Sequence, residues 1–169
     1  MLTFMATILD LSREGGPLRW IDPQLEPHEQ EWRRIYGAGR FVEWFEQQLP
    51  SLTSDWKVED SPLEQFDQLL ETYCSGATLT FQHRFKCLYP RDKCVWELKT
   101  ADLRIFGWFP KMDHFIAVVA DTAQRVKLHS LVHGYVGEVE RFREKLDLDP
   151  PKYLVGEDPN VVVTNFDHP

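Results

Sequence analysis

The hydrophobic period of the chain changes sharply at Gly76, and no other feature constrains the fold as much. Before Gly76 apolar residues recur at steps of three and four; after it they recur at steps of two. A helical period, then an alternating one, then a helical pattern again near the end predicts an α+β domain. Its two N-terminal helices pack on a four-stranded antiparallel meander, and one C-terminal helix follows. At 169 residues the chain has the length of a single domain. The boundaries read as an N-terminal extension over 1–28, the domain over 29–149 and a C-terminal tail over 150–169.

The first helix is predicted from Glu29 to Leu49. Ile35, Ala38, Val42, Phe45 and Leu49 fall on one face, Trp32, Tyr36 and Trp44 widen it, and Pro50 stops it. Gly37 and Gly39 oppose a helix by about 1 kcal/mol each. The second helix has a clearer start. Ser61-Pro62-Leu63-Glu64 offers an N-cap serine, a proline at the first helical position and a glutamate three residues after the cap. Leu63, Phe66, Leu70 and Tyr73 form its stripe, and Ser75-Gly76 ends it.

After Gly76, Leu79, Phe81, His83, Phe85 and Cys87 alternate with polar residues. Turns at Tyr89–Lys93, Thr100–Asp102 and Pro110–Asp113 separate this strand from Cys94–Lys99, Leu103–Phe109 and His114–Ala120. The last is apolar on both faces, as a central strand is. Residues 121–135 carry no clear period. Gly137–Leu146 is predicted helical. Short strands are expected at Leu2–Leu9 and Val161–Val163, and residues 12–30 carry Gly and Pro signals of irregular structure.

Hydrophobic residues make up 43% of the chain and aromatics 13%, which excludes disorder throughout. No apolar run approaches the roughly 20 residues that span a bilayer, so no membrane segment is expected. Residues up to Leu11 lack a basic lead and meet Asp10, Arg13 and Glu14 before any small-residue cleavage site, so no signal peptide is expected. Cys74, Cys87 and Cys94 are odd in number, which points to a reducing compartment and a cytoplasmic location.

Net charge is −8. Residues 1–80 carry a net −8, residues 81–111 a net +4, and residues 138–169 a net −4. The single basic stretch lies on the predicted meander, as a solvated hairpin surface or an anion-binding face. Glycine-rich phosphate loops and G-x-S-x-G elbows are absent from the sequence. His129 and His133 stand at i, i+4 but lack a third ligand, so no metal and no cofactor are expected. Cys87 and Cys94 flank a turn, and read as small buried residues.

The informative pattern is the interleaving of cations with aromatic rings. Arg84, Lys86, Lys99 and Arg104 stand on the meander with Trp96 and Trp108, and Lys127 follows it. Cations for phosphates and flat rings for bases are what a single-stranded RNA contact needs. The two tryptophans fit a core equally well.

The run Cys94-Val95-Trp96-Glu97-Leu98-Lys99, followed by Leu103-Arg104-Ile105-Phe106, resembles the "W-E-L-R … y-R-i-f-y" signature of phage-derived, HigB-like toxins in the RelE/ParE superfamily. Phe115–Ala120 looks like that family's next apolar strand, and Gly137–Phe142 is similar to its C-terminal helix. The resemblance runs from about Trp32 to Leu146. It implies the same helix–helix–meander fold and a toxin of a toxin–antitoxin module, with a cognate antitoxin as partner. It implies metal-independent endoribonuclease action on mRNA at the ribosome, or poisoning of gyrase. Lys99 stands at the signature's first arginine and Arg104 at its second. Lys86 is the basic residue of the preceding strand, and Lys127 is nearest to the family's lysine pair. These four are the catalytic candidates; Arg84, Trp96 and Trp108 are the RNA-binding ones. The acidic flanks favour an alternative, a non-catalytic interaction module on the same scaffold.

Overall fold

The computed structural model describes residues 6–169. The sequence between Gly76 and Thr122 supplies most of the sheet. Strands β4 (Phe85–Cys87), β5 (Trp96–Lys99), β6 (Leu103–Lys111) and β7 (His114–Thr122) follow one another as antiparallel neighbours. The expected strand at 79–87 is interrupted. Leu79–Thr80 (β3) leaves the main sheet and pairs in parallel with Phe166–Asp167 (β8), because Gln82 turns the chain at φ 71°.

The sheet does not stop at β7, and the expected helix from Glu29 is where the sequence reading fails. Arg34–Ala38 is strand β2, and helix α2 runs only over Gly39–Gln47. Strand β2 pairs in parallel with β7, Ile35 opposite Phe115 and Gly37 opposite Ala117. Leu18–Trp20 (β1) then pairs antiparallel with β2, inside the segment read as irregular. The architecture is therefore α+β with a six-stranded mixed sheet in the order β1-β2-β7-β6-β5-β4, not two helices on a four-stranded antiparallel meander. An interior strand buried on both sides has no alternation to show. Ile35 faces one core and Tyr36 the other, so their spacing from Val42 and Phe45 imitates a helical stripe. Gly37 is required there. A Cβ at that position would meet Phe41 Cδ1 at 2.8 Å and Val42 Cγ2 at 3.0 Å, where α2 folds back on the strand.

Helices cover both faces of the sheet. Helices α2 and α3 (Pro62–Cys74) bury Phe41, Trp44, Phe66, Leu70 and Tyr73 against Ile35, Leu98, Ile105 and Phe115. On the other face α1 (Ile8–Leu11), α4 (Ala123–Leu128) and α5 (Val132–Lys145) bury Ile8, Val126, Val136 and Val139 against Tyr36, Phe106, Trp108 and Val119. The patternless stretch 121–135 thus holds α4, and α5 begins five residues before the expected helix. Of the strand expected at Leu2–Leu9, residues 2–5 lie outside the described residues and Ile8–Leu11 is helical. Val161–Val163 is no strand; a 3-10 turn at Pro159–Val161 plugs Val162 and Val163 into the core. Both flanking segments pack into the main body. The buried guanidinium of Arg33 donates to the carbonyls of Tyr73, Ala77, Thr164 and Asn165 at 2.7–3.0 Å, joining α3 to the end of the chain.

Helix α3 forms where its sequence signals place it. Ser61 accepts from Glu64 N and Glu64 reaches back to Ser61 N, while Phe66 is 1% exposed in the core. Phe66→Ala opens a cavity and is expected to cost about 3–5 kcal/mol. Ser61→Ala frees a backbone donor that water can reach and is expected to cost about 0.5–2 kcal/mol. Urea unfolding of the two variants measures the order, and a larger loss for Ser61→Ala contradicts this account of α3.

Candidate functional site

Pairing register decides which cations share a surface. In β4 Lys86 stands opposite Glu97 of β5, and Lys99 of β5 stands opposite Arg104 of β6. Trp96 and Leu98 alternate with these residues and point into the α3-side core, so Lys86, Glu97, Lys99 and Arg104 lie on the other face. Helix α5 covers that face only as far as Phe106 and Trp108. Beyond them Lys86, Lys99 and Arg104 are half-buried, and Lys86 is the one that pairs with the carboxylate of Glu97. Glu97 is 3% exposed, with Lys86 Nζ at 3.5 Å. Lys99 Nζ donates to Gln82 O at 3.1 Å, and Arg104 donates to the carbonyls of Thr100 and Leu103 at 2.7 and 2.8 Å.

Burial lowers the pKa of Lys99 below its ordinary value, and the charges of Arg104 and Lys86 lower it further against the pull of Glu97. Lys127 on α4 adds to the same effect and so belongs to the same electrostatic cluster. Burial also lowers Arg104, opposed by Glu97 and Asp102.

The wall at this end of the sheet is built by one carboxylate. Asp102, 1% exposed in the β5–β6 turn, accepts from Ser54 Oγ at 2.6 Å, from Trp56 N at 3.2 Å and from Gln65 Nε2 at 2.5 Å. Its carbonyl accepts from Ala123 N at 2.7 Å, the first residue of α4. The loop 54–58 is thereby held with the Trp56 ring 5.2 Å from Lys127 Nζ. Trp56 keeps 49% of its surface exposed. On the other flank, Tyr89 and Pro90 stand across an open groove of about 670 Å³ from Val126, Lys127, Val132 and His133. Tyr89 is an exposed ring with the Arg91 guanidinium 4.7 Å from its centroid.

Beside Arg104 on β7, Asp121 accepts from Tyr135 OH at 2.6 Å, from Thr122 N at 2.7 Å and from Arg125 Nε at 3.2 Å. Burial and the hydrogen bond to Asp121 push the Tyr135 phenol up to about 12. Tyr135 therefore stays protonated at neutral pH and is a donor, not a base.

Of the residues singled out from sequence, the fold brings together Lys86, Lys99, Arg104 and Lys127. It does not add Arg84, whose side chain lines a separate cleft with Gln65, Thr72 and Thr100 on the α3 side. Trp96 and Trp108 are both fully buried and on opposite faces of the sheet. Trp96 packs on Phe85 and Phe109; Trp108 packs on Phe142 and donates to Lys152 O at 2.8 Å. Neither indole has a face open to a base. Trp56 and Tyr89 take the exposed aromatic positions instead. His129 ends α4 and His133 lies in α5, so they do not share a helical face. Among the described residues no three His, Cys, Asp or Glu side chains group as metal ligands, and no helix is long and apolar enough to cross a membrane. Cys74, Cys87 and Cys94 are free thiols. Comparison with protein-family models, with curated proteins and with solved structures finds no match.

Burial alone would raise the Asp102 pKa, but the donors from Ser54, Gln65, Trp56 and Asp55 outweigh it and leave the carboxyl below 3.8. A carboxyl depressed on folding stabilises above its unfolded value, and that contribution drains away as the pH falls through the folded one. Asp102→Ala is expected to cost about 1–3 kcal/mol at neutral pH. The gap between variant and parent in urea unfolding is expected to narrow below about pH 4. A gap that does not change with pH contradicts the assignment.

Proposed function

We propose that the chain is a metal-independent endoribonuclease of the HigB-like toxin kind, acting on mRNA in the cytoplasm and held in check by a cognate antitoxin. The observation that carries this reading is the grouping of Lys86, Arg104 and Lys127 near enough to Lys99 for their charges to act on it, in a chain of net charge −8. A local positive face in a negative field concentrates a polyanion at one place.

RNA brings its own nucleophile. The ribose 2′ oxygen attacks the adjacent phosphorus, the phosphorus–5′ oxygen bond breaks, and a cyclic phosphate and a free 5′ hydroxyl result. Lys99 accepts the 2′ proton, because burial and its cationic neighbours favour the neutral amine. Arg104 and Lys86 neutralise charge on the pentacoordinate phosphorus. Lys127 hands a proton to the departing 5′ oxygen. Trp56 and Tyr89 offer exposed rings on which flanking bases can stack. Glu97 fixes Lys86 by its ion pair.

Lys99→Arg keeps the charge and removes the base. It is expected to retain RNA affinity while cleavage falls by about 10²–10⁴-fold. Arg104→Ala is expected to lower cleavage by about 10²–10³-fold and to weaken binding as well. In the parent the rate is expected to rise with pH until Lys99 is neutral, at a value below 10.5. Induced expression in a bacterial host gives the cellular readout: growth arrest with cut mRNA, lost in both variants. Normal growth with intact mRNA overturns the reading, and a stable protein partner indifferent to Lys86, Lys99 and Arg104 would make the chain an interaction module.

A further inference from the structure

A second cleft lies at the opposite end of β7. His114 opens that strand and Asp121 nearly closes it, so the two ends are separated by roughly 23 Å of extended chain. The cleft has a volume of about 480 Å³ and sits between α1, the start of β2 and the segment after Leu148. That volume is within the range of small-molecule sites.

Sheet pairing gives the cleft its charge. Arg34 of β2 is the register partner of His114, and His114 is the register partner of Lys111. Three basic residues therefore stand in a row across three adjacent strands, and Asp149 is the one carboxylate on the lining among the described residues. The remaining walls are mostly apolar. Leu148 and Leu154 line the cleft together with Tyr36, whose ring lies 6.4 Å from the His114 ring and nearly parallel to it, at 14°. A stacked ring pair, aliphatic side chains and a row of cations thus line one cleft.

We propose that this cleft binds a small planar anion: an apolar or heteroaromatic ring system carrying one carboxylate or phosphate. The ring lies among the apolar lining beside His114, and the anionic group reaches Arg34 and Lys111. His114 reports the occupant. Its Nδ1 lies 2.9 Å from Met112 O and so carries the proton, which leaves Nε2 unprotonated in the neutral ring. Burial favours that neutral form, as do the positive charges of Lys111 and Arg34; the bond to Met112 O and the charge of Asp113 oppose it, and Asp149 faces it across the cleft. A bound anion shifts this balance towards the imidazolium.

Calorimetry and NMR on the full chain test the proposal with three probes: naphthoate, adenosine monophosphate and uncharged naphthalenemethanol. At least one anion is expected to saturate the site about tenfold more tightly than the alcohol and to raise the His114 pKa, and the tighter of the two identifies the anionic group. Arg34→Gln, at a half-exposed side chain, is expected to weaken that binding about tenfold with an unchanged melting temperature. Lys99→Ala is expected to leave it intact, so failure here and failure of the ribonuclease reading are separate results. Three outcomes overturn the proposal: no saturation by either anion, equal affinity for the alcohol, or a His114 pKa that does not move. Binding lost in Lys99→Ala but kept in Arg34→Gln also overturns it, because it places the probe on the cationic face.

Discussion

Four separated stretches of chain meet at Asp102, and the open end of the sheet depends on that meeting. Its carboxylate holds the loop 54–58 and the α3 side chain Gln65; its carbonyl receives the first N–H of α4. Gln65 completes the network by accepting from Thr100 Oγ1 and from Asp102 N, both at 2.9 Å. A buried carboxylate whose oxygens accept from several donors is rigid, whereas one left short of partners would be costly. The rigidity is transmitted to function, because Trp56 and Lys127, on two of those stretches, are brought face to face. Neither residue lies on the strands that carry Lys99 and Arg104.

The same economy of position explains why much of the fold could be read in the sequence. Where a segment's signals are local, they hold: the Ser61–Glu64 capping box, the alternation through Trp96–Lys99 and the long runs of β6 and β7 all fold as their residues dictate. The failures are non-local. Strand β2 acquires its identity from β7, eighty residues away, and from β1, which shields its other edge. Its five residues carry no alternation because both faces are buried, and periodicity cannot separate such a strand from a helix. Strand β1 is three residues long, with only Leu18 buried, and leaves almost no pattern to find.

The candidate site divides along the same line. Lys86, Lys99 and Arg104 were legible because a strand's period of two places them on one face once the register is known. Lys127 needed α4, which no period revealed. The tryptophans fit an exposed face and a core equally well by sequence; in a sheet covered by helices on both sides, large rings are spent on the cores. Trp56 sits in a loop between polar residues, and its only sequence mark is the neighbouring Ser54-Asp55, which resembles any turn. What places it is Asp102, forty-six residues later in the chain.

The charge distribution and the topology together separate two anion-accepting regions. Strand β7 spans nine residues, and each end meets cations from its neighbours: Arg34 and Lys111 around His114, Arg104 and Arg125 around Asp121. At the Asp121 end the carboxylate is within the cluster and neutralises Arg125, so free positive charge is displaced onto β4, β5 and α4, out on the open face. At the His114 end Asp113 is drawn away, accepting from Thr164 N and Oγ1 at 2.8 and 2.7 Å and lying 3.6 Å from buried Arg33. Asp113 is thus committed to Thr164 and Arg33, and Arg34, paired at 3.8 Å with half-buried Glu31, and Lys111 line the cleft. One end presents an open surface suited to an extended polyanion; the other presents an apolar slot suited to a compact one, and the difference follows from where each carboxylate is committed.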